Sequence, residues 1–354
     1  MKTGTAYLPL HYGSAPRWLF DRMKKLAREI SIIIISEFGS EDMLIKLSDP
    51  AWFQAFGCVL GFDWHSSGLT TTTCGALKEG IKGLERDLGL FIAGGKGATS
   101  RKTPEQIKAI GDKISLNPEP LVYASRLSAK VDNTALQDGY QLYHHTFFFV
   151  PSGKWAVVQQ GMNTAERWAR RYHWLSEKVS DFVCEPHSGV ICDHKGKPLN
   201  LVAKESEETR DASAELAKEN PEKLTKELKR IQALELPSRH HILASDIRPE
   251  NFRKIMLNVY EKEPENFEAL LGTAGVGPKT LRALALISEL IYGAKPSFKD
   301  PVRFSFAHGG KDGHPYPLDR GQYDKSIEIL REATSKAKVE RSEKLKALQR
   351  LANV

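Results

Sequence analysis

The sequence lacks long hydrophobic runs, a signal-like leader and a disulfide pattern. Its longest run of branched aliphatic residues is Ile32–Ile35, far shorter than the roughly 20 apolar residues that a membrane helix requires. The segment Met1–Thr5 leads into no apolar signal core. Four cysteines in 354 residues are too few for a disulfide scaffold. These absences favour a cytoplasmic protein that does not interact with membranes.

The composition that remains is globular, with a modest excess of positive charge. Hydrophobic residues make up 41% and charged residues 27% of the chain, which excludes wholesale disorder and fibrous repeats. The net charge is +7, and Arg320–Val354 supplies +4 of it, with nine Lys or Arg against five Asp or Glu. A mild basic excess permits nucleic acid as a partner without requiring it.

Two spacing patterns predict a mixed α+β fold. Apolar residues between Pro16 and Gly39 recur every three or four positions, which predicts a helix; the isoleucines could also form a buried strand. The segments Tyr140–Val150 and Trp155–Gln160, separated by a Pro-Ser-Gly-Lys turn, predict a β-hairpin. We therefore expect residues 1–203 to form an α+β domain that holds the chemistry.

The rest of the chain is predicted to be helical. Between Lys204 and Arg230 there are eight acidic and seven basic residues, a balance typical of a solvent-exposed helix. We interpret residues 204–235 as a charged connector, although a plain pair of surface helices fits the pattern nearly as well. Residues 236–322 are predicted to be a helical DNA-binding domain, and residues 323–354 a basic helical tail.

A glycine-containing turn between two apolar helical segments is the most specific pattern in the chain. It is Gly275-Val276-Gly277, at the centre of residues 267–287. The glycines allow a tight turn and close approach of a ligand to the backbone, and we expect Val276 to be buried between the helices. The N–H groups at the start of the second helix form an anion site, to which Lys279 adds a positive charge.

This segment resembles the helix-hairpin-helix DNA-binding motif. The resemblance implies binding to the DNA backbone, largely independent of base sequence; a plain turn between two core helices is the alternative. The turn at Gly94–Gly97 and the Gly/His-rich loop at 304–317 are candidates for further phosphate contacts. The residues predicted to contact DNA are Gly275, Val276, Gly277, Lys279, Thr280, Lys96, Arg101 and Lys311.

The same resemblance offers a second chemistry. In helix-hairpin-helix DNA glycosylases with lyase activity, a lysine two residues beyond the second hairpin glycine is the Schiff-base nucleophile, and an aspartate follows roughly twenty residues later. Lys279 holds the first position and Asp300 stands near the second. The spacing is slightly longer than that of the family, and lysine is also common at this position in hairpins without catalytic activity.

Polar residues on and after the predicted hairpin form the leading candidate active site. They are Asp138, His144, His145, Gln159, Glu185 and His187. Asp138, Glu185 and His187 are the candidate metal ligands, because carboxylate oxygens suit Mg²⁺ and imidazole shifts the preference toward Mn²⁺. His144 and His145 should point to opposite faces of the strand, so at most one joins the site directly. A surface hairpin decorated with Tyr and His is the alternative.

Two other clusters are weaker candidates. Cys184, His187, Cys192 and His194 could bind structural zinc, but their spacing is not a common zinc signature, so a zinc site is not expected. Asp63–Ser67 contains the residue types of a Ser-His-Asp triad, but adjacent residues rarely face one another.

Four segments together resemble an archaeal and thermophilic bacterial family catalogued as domain of unknown function 763. They are Phe53–Gly68, Ala93–Gly97, Asp138–Asn163 and His308–His314. The family is defined by number rather than by activity, so the resemblance assigns no catalytic residue.

The function that these patterns favour is a DNA-processing enzyme, most simply a divalent-metal-dependent nuclease with Mn²⁺ or Mg²⁺ as cofactor. The alternatives are a glycosylase or lyase acting through Lys279 and Asp300, and a DNA-binding protein without chemistry. The sequence is compatible with a monomer or a homodimer.

Overall fold

The computed structural model shows a mixed α+β chain. The residues that it describes are 8, 10, 15–62, 66–192, 194–236, 240–242, 244–302 and 320–352, with backbone alone at 320–327 and 351–352. The strands are β1 Phe91–Lys96, β2 Leu136–Gln137, β3 Gln141–Phe149, β4 Trp155–Asn163, β5 Trp168–Leu175, β6 Gly189–Ile191 and β7 Leu199–Asn200. Five of them form one antiparallel sheet in the order β1-β3-β4-β5-β6, and β2 pairs with β7.

Helices account for most of the described chain, and none of them is both long and apolar enough to cross a bilayer. In the first part of the chain they are α1 Arg17–Phe38, α2 Ser40–Ser48, α3 Pro50–Leu60, α4 Gly68–Gly80, α5 Glu85–Leu88, α6 Ala98–Arg101, α7 Thr103–Ile114 and α8 Glu119–Lys130. After the sheet come α9 Glu207–Leu216, α10 Pro221–Gln232, α11 Pro249–Tyr260, α12 Phe267–Gly272, α13 Pro278–Tyr292, α14 Arg320–Lys336 and α15 Arg341–Ala352.

Helices cover both faces of the sheet. One face packs in a hydrophobic core with residues of α7–α13, and the other packs with residues of α1–α4, α14 and α15. Antiparallel sheets commonly leave one face in water and alternate apolar with polar residues. Here Phe147, Phe148 and Phe149 are all fully buried, with Phe148 in one core and its two neighbours in the other. A continuous apolar run is the pattern that a strand covered on both faces requires.

The predicted N-terminal helix and the central hairpin are confirmed. One helix, α1, spans the four isoleucines, and Gly39 follows its last residue. Strands β3 and β4 pair with Phe149 opposite Trp155 and His145 opposite Gln159, and the register shifts between Leu142 and His144. Both patterns are local in sequence, which explains why periodicity found them.

One local prediction is corrected, because Gly94, Gly95 and Lys96 belong to strand β1 rather than to a turn.

The predicted basic tail contains two helices, α14 and α15, and described side chains of both are buried in the core that contains α1. Apolar residues on these helices pack inward while the charged residues remain outside, so charge counting hid their role.

The predicted division into an α+β domain, a connector and a DNA-binding domain stays a prediction. A single hydrophobic core contains sheet residues such as Phe147 and Trp174 together with Leu224 of α10 and Leu284 of α13. The charged helices α9 and α10 therefore contribute buried residues to this core on one side and expose charges on the other.

The crossing of α1 and α4 depends on a glycine. A Cβ atom added to Gly80 would lie 2.6 Å from the Lys24 carbonyl oxygen, whereas one added to Gly75 would make only ordinary contacts with Phe20. The close approach of the two helices therefore requires glycine at position 80 but not at position 75.

Candidate functional site

Two rows of residues cross the sheet near the end at which β3 begins. Strand register places Gly95, His145, Gln159, Tyr172 and Val190 in one row and Lys96, His144, Gln160, Arg171 and Ile191 in the next. Because side chains alternate between faces, the two rows place polar groups on opposite sides of the sheet at one level. The predicted opposite orientation of His144 and His145 agrees with their contacts, since they belong to different polar clusters.

On one face, a chain of hydrogen bonds ends at a buried carboxylate. The Ser125 hydroxyl lies 2.9 Å from His145 Nε2, and His145 Nδ1 lies 2.8 Å from Gln159 Oε1. The Gln159 amide donates to Asp132 Oδ2 at 2.6 Å, and Trp174 Nε1 donates to the same oxygen at 3.0 Å. Each group in the chain has a partner, which a buried polar network requires.

His187 completes this cluster from outside the sheet. Its Nε2 donates to Asp132 Oδ1 at 2.5 Å, and its ring packs edge-on against Trp174 with centroids 4.7 Å apart. A carboxylate that holds one ring nitrogen fixes the orientation of the ring. His187 is therefore oriented as a base or a ligand would be.

Asp132 lies in an unusual backbone segment. Residues Val131–Ala135, between α8 and β2, form a π-helical turn. Such turns are rare and occur frequently at functional sites. Burial raises the pKa of Asp132, and the charge of His187 and the hydrogen bonds from His187 and Trp174 act in the opposite direction.

Burial also determines the charge of His145. It lowers the pKa of His145 to about 4, against a smaller opposing effect of the hydrogen bond to Gln159. The ring is therefore neutral near pH 7, with Nδ1 donating to Gln159 and Nε2 accepting from Ser125. The chain of donors then runs in one direction, from Ser125 through His145 and Gln159 to Asp132.

A second cluster on the same face surrounds Arg170. Asp138 Oδ2 accepts from Arg170 Nη1 at 3.0 Å and from the Tyr172 hydroxyl at 2.7 Å. Asp300 Oδ2 accepts from Arg170 Nη2 at 2.9 Å. The Arg170 guanidinium also lies over the Tyr140 ring, 4.6 Å from its centroid. Arg170 thus joins the hairpin to Asp300, which directly precedes Pro301.

The predicted metal ligands are engaged with other partners. Asp138 bonds to Arg170 and Tyr172, while His187 bonds to Asp132. Among the residues that the structure describes, no three His, Cys, Asp or Glu side chains come close enough to hold a metal ion. The predicted set of Asp138, Glu185 and His187 therefore does not form a shared coordination sphere there, because arginine occupies the place that a cation would take beside Asp138.

The disfavoured zinc quartet is also dispersed. Cys192 Sγ lies 3.2 Å from the Tyr140 hydroxyl, and His187 contacts Asp132. His194 is half exposed and lies 3.9 Å from Glu166. These contacts give the described members of the quartet separate surroundings.

On the opposite face of the sheet, Gln160 is the centre of a further buried network. Its amide donates to the Ser67 carbonyl at 2.8 Å and to the Tyr143 hydroxyl, and its Oε1 accepts from Thr70. Arg171 lies in the same network, 3.3 Å from the Thr70 hydroxyl. Of the predicted Ser-His-Asp segment, residues 63–65 lie outside the described residues.

Lys78 of α4 holds the Gly94–Gly97 segment in place. Lys78 Nζ donates to the Gly94 carbonyl and to Gln106 Oε1, both at 2.8 Å. A Cβ on Gly94 would lie 2.2 Å from the His145 carbonyl, and its φ is +87°, so glycine is required there. Lys96 and Arg101 remain exposed. Lys311, another predicted basic contact, lies outside the described residues.

The turn between α12 and α13 has the backbone expected from its glycines. Gly275 has φ +91° and Val276 is 3% exposed. Lys130 Nζ donates to the Val276 carbonyl at 2.6 Å, which fixes the turn against α8. Lys279 is 64% exposed, and its Nζ donates to the Asp246 carbonyl at 3.0 Å. The Thr280 side chain is buried. The prediction that this side chain contacts DNA is therefore wrong, and only its backbone could make such a contact.

The residues that sequence analysis missed are those that become important only through pairing. Asp132, Ser125, Tyr172 and Arg170 carry no local motif. The sequence carries one signal for them, the pair Arg170-Arg171 directly before Tyr172. Two consecutive arginines are unusual in a buried strand, because arginine is rarely buried without a partner.

Comparison with known proteins identifies the family of the chain but no characterised relative. The chain belongs to the family described as protein of unknown function (DUF763), whose model matches residues 4–318. No curated protein and no solved structure matches the chain.

Proposed function

We propose that this member of the DUF763 family is a DNA-processing enzyme that binds the DNA backbone through the turn between α12 and α13. The observation that carries the proposal is the combination of Gly275 with φ +91°, the buried anchor Val276 and the exposed Lys279 in the first turn of α13. This combination is the arrangement that the helix-hairpin-helix resemblance implies.

The start of α13 is suited to an anion. Gly277 is its N-cap and makes no side-chain capping bond, so the first N–H groups of the helix have no partner within the helix. The helix dipole and these N–H groups together favour a phosphate. Backbone donors and the N-terminus of a helix contact phosphate rather than base edges, so the binding would be independent of sequence.

The charge of Lys279 is available to a phosphate. Asp246 is its nearest acidic neighbour, with Oδ2 at 3.7 Å. Arg282 holds that carboxylate with two hydrogen bonds, at 2.8 and 2.9 Å. Because Arg282 already neutralises Asp246, Lys279 loses little by turning toward a phosphate. Lys96, Arg101 and Lys311 are proposed as further backbone contacts.

Metal-dependent phosphodiester cleavage is the proposed chemistry. An ion of Mn²⁺ or Mg²⁺ would polarise the phosphoryl group and supply hydroxide near neutral pH. Asp138 does not fit as a ligand, because Arg170 and Tyr172 occupy it. His187, whose ring is oriented by its bond to Asp132, is the residue of the proposed site that the geometry favours. The proposal of cleavage therefore rests on DNA binding and on His187, not on an assembled metal centre.

The lyase alternative is less well supported. Lys279 is exposed and contacts Asp246, whereas Asp300 contacts Arg170 at the sheet. A Schiff-base lysine needs a partly desolvated pocket that lowers its pKa, and a side chain that is 64% exposed has no such surroundings.

One assay separates the three functions. The protein is incubated with single-stranded, duplex and forked DNA, with Mn²⁺ or Mg²⁺ or with a chelator. Cleavage that the chelator abolishes supports the nuclease. A covalent adduct trapped by borohydride supports the lyase and overturns the nuclease. DNA binding with neither result identifies a binding protein without chemistry, and absence of DNA binding rejects the proposal altogether.

A further inference from the structure

A cavity of about 600 Å³ lies between the start of α1, the end of α3 and helix α15. No residue of the two polar rows of the sheet lines this cavity. Trp18 and Arg22 contribute one wall, Leu60 and Gly61 another, and Lys346 and Arg350 the third. Its volume falls within the range of roughly 300–1,000 Å³ that is usual for small-molecule sites.

The aromatic wall is unusually exposed. Trp18 is 61% exposed, although indole is among the side chains with most to gain from burial. The Arg22 guanidinium lies 5.5 Å from the centre of the indole, and Glu343 holds its Nε at 2.9 Å. Arg22 is thus fixed in position, and together the indole and the guanidinium present flat surfaces on which a planar group can stack.

The opposite wall, formed by α15, carries more positive than negative charge, because Glu343 pairs with Arg22, which leaves Lys346 and Arg350 against Glu340. Arg350 Nη2 donates to the Val59 carbonyl at 3.0 Å, while its buried Nε has no partner in the described part of the chain. Gly61 permits this position, since a Cβ there would lie 3.2 Å from Arg350 Nη1 and 3.4 Å from Leu19. Lys346 adds an exposed ammonium one turn of α15 before Arg350.

We propose that this cavity binds a nucleotide, with the base stacked on Trp18 and the phosphate held by Arg350 and Lys346. The flat aromatic surface suits the base and the two cations suit the phosphate, while Leu19 and Leu60 also line the cavity. Stacking on an aromatic side chain and contact of cations with phosphate are the two interactions that hold unpaired nucleotides in proteins. The proposal goes beyond the proposed function and does not depend on the α12–α13 turn.

The ligand has two sources, which the experiment distinguishes. Binding of deoxyadenosine monophosphate, deoxyadenosine and inorganic phosphate is measured by calorimetry with the full chain, beside a blunt duplex and the same duplex with a single-stranded overhang. A site for free nucleotides binds the monophosphate more tightly than either fragment and does not distinguish the two duplexes. A site for an unpaired end of a strand binds the overhang more tightly than the blunt duplex.

Matched variants test the contacts. Trp18→Ala should weaken binding by about 5- to 100-fold, as loss of one stacked base does, and Trp18→Phe should restore part of the loss. Phe38→Ala is the control, because Phe38 is an exposed aromatic at the other end of α1 with Lys46 over its ring. Lys346→Gln should weaken the monophosphate but not deoxyadenosine, and Arg341→Gln on the same helix, which does not line the cavity, should change neither.

Two outcomes would overturn the proposal. No calorimetric binding of the monophosphate or of the overhang at millimolar concentration rejects it, as does an equal loss in Trp18→Ala and Phe38→Ala. Lys279→Gln should leave binding of the monophosphate unchanged, so failure of this site and failure of the proposed turn are separate results.

Discussion

Arg170 Nη1 lies 3.0 Å from Asp138 Oδ2, and both side chains are only 1% exposed. The sequence presents Asp138 as a candidate metal ligand, yet its carboxylate is half of a buried ion pair. Removal of one partner from such a pair leaves an uncompensated buried charge. The role of Asp138 can therefore be tested by stability as well as by activity.

Asp138→Asn should destabilise the protein by about 3–5 kcal/mol, because the positive charge of Arg170 loses one of its two carboxylates. Unfolding in urea measures this change. Glu219→Gln removes the acid of an exposed pair with Lys223 and should leave the free energy of unfolding nearly unchanged. An Asp138→Asn protein as stable as the wild type that has lost all cleavage would instead support the metal-ligand role.

Stability should fall as the pH drops from about 6.5 toward 4. Burial lowers the pKa of His145 to about 4 and that of His144 to about 3. Unfolded histidine takes up a proton near pH 6.5, so in this range the unfolded chain binds more protons than the folded one. Each histidine then lowers the free energy of unfolding by up to about 1.4 kcal/mol per pH unit, and its contribution is fully present only above pH 6.5.

Urea unfolding at pH 7, 6 and 5 tests this dependence. His144→Gln should give a flatter dependence of stability on pH than the wild type, because it removes one buried neutral histidine. Equal stability at all three pH values would contradict the burial of neutral histidines.

Lys279→Gln should weaken DNA binding by a similar factor for every sequence and reduce the slope of log affinity against log salt by about 1. The physical reason is the loss of one phosphate contact. Titrations at several salt concentrations give the slope. Lys295→Gln removes an exposed lysine beyond the end of α13 and is the matched control. A wild-type affinity that does not change with salt would exclude phosphate binding.

Lys279→Arg separates the two roles of this residue. As a phosphate contact, arginine keeps the charge, so binding and cleavage should fall only modestly. As a Schiff-base nucleophile, lysine would tolerate no replacement, because guanidinium supplies no neutral amine. We expect the modest loss. Complete inactivity with normal DNA binding, together with a borohydride-trapped adduct in the wild type, would reverse this conclusion.

Two glycines of α4 should respond in opposite directions to alanine. Gly75→Ala should stabilise the protein by about 0.5–1 kcal/mol, because alanine favours the helix and meets no close atom. Gly80→Ala should destabilise it by about 1–3 kcal/mol, since its Cβ would lie 2.6 Å from the Lys24 carbonyl. Thermal unfolding of the two variants provides the comparison, and stabilisation by both would refute the close crossing of α1 and α4.

Local patterns predicted the elements but not their pairing. Helix α1 and the β3–β4 hairpin were predictable because periodicity and a turn lie within a few residues. The contact between Asp132 and His187 joins positions 55 apart, and that between Thr70 and Gln160 joins positions 90 apart. No local pattern encodes such contacts, because they depend on which helix covers which face of the sheet.

The candidate site shows the same limit at single residues. His145, Gln159 and His187 were predicted as site residues, and the structure places all three in one hydrogen-bonded cluster. Asp132 was missed because a carboxylate within a helical stretch normally faces solvent. Asp138 was predicted as a ligand, because the sequence does not show that Arg170 lies beside it.

The sheet face covered by α1–α4 is completed by α14 and α15, which are synthesised last. Leu330, Ala333, Ala337 and Ala347 belong to the same core as Met23 and Phe53. A ribosome adds roughly 5–20 residues per second, so residues of α1 and α3 leave it many seconds before the helices that cover them. During that interval an apolar surface of the nascent protein stays open to other chains. Cotranslational holding by a chaperone should therefore be needed longest for this N-terminal layer.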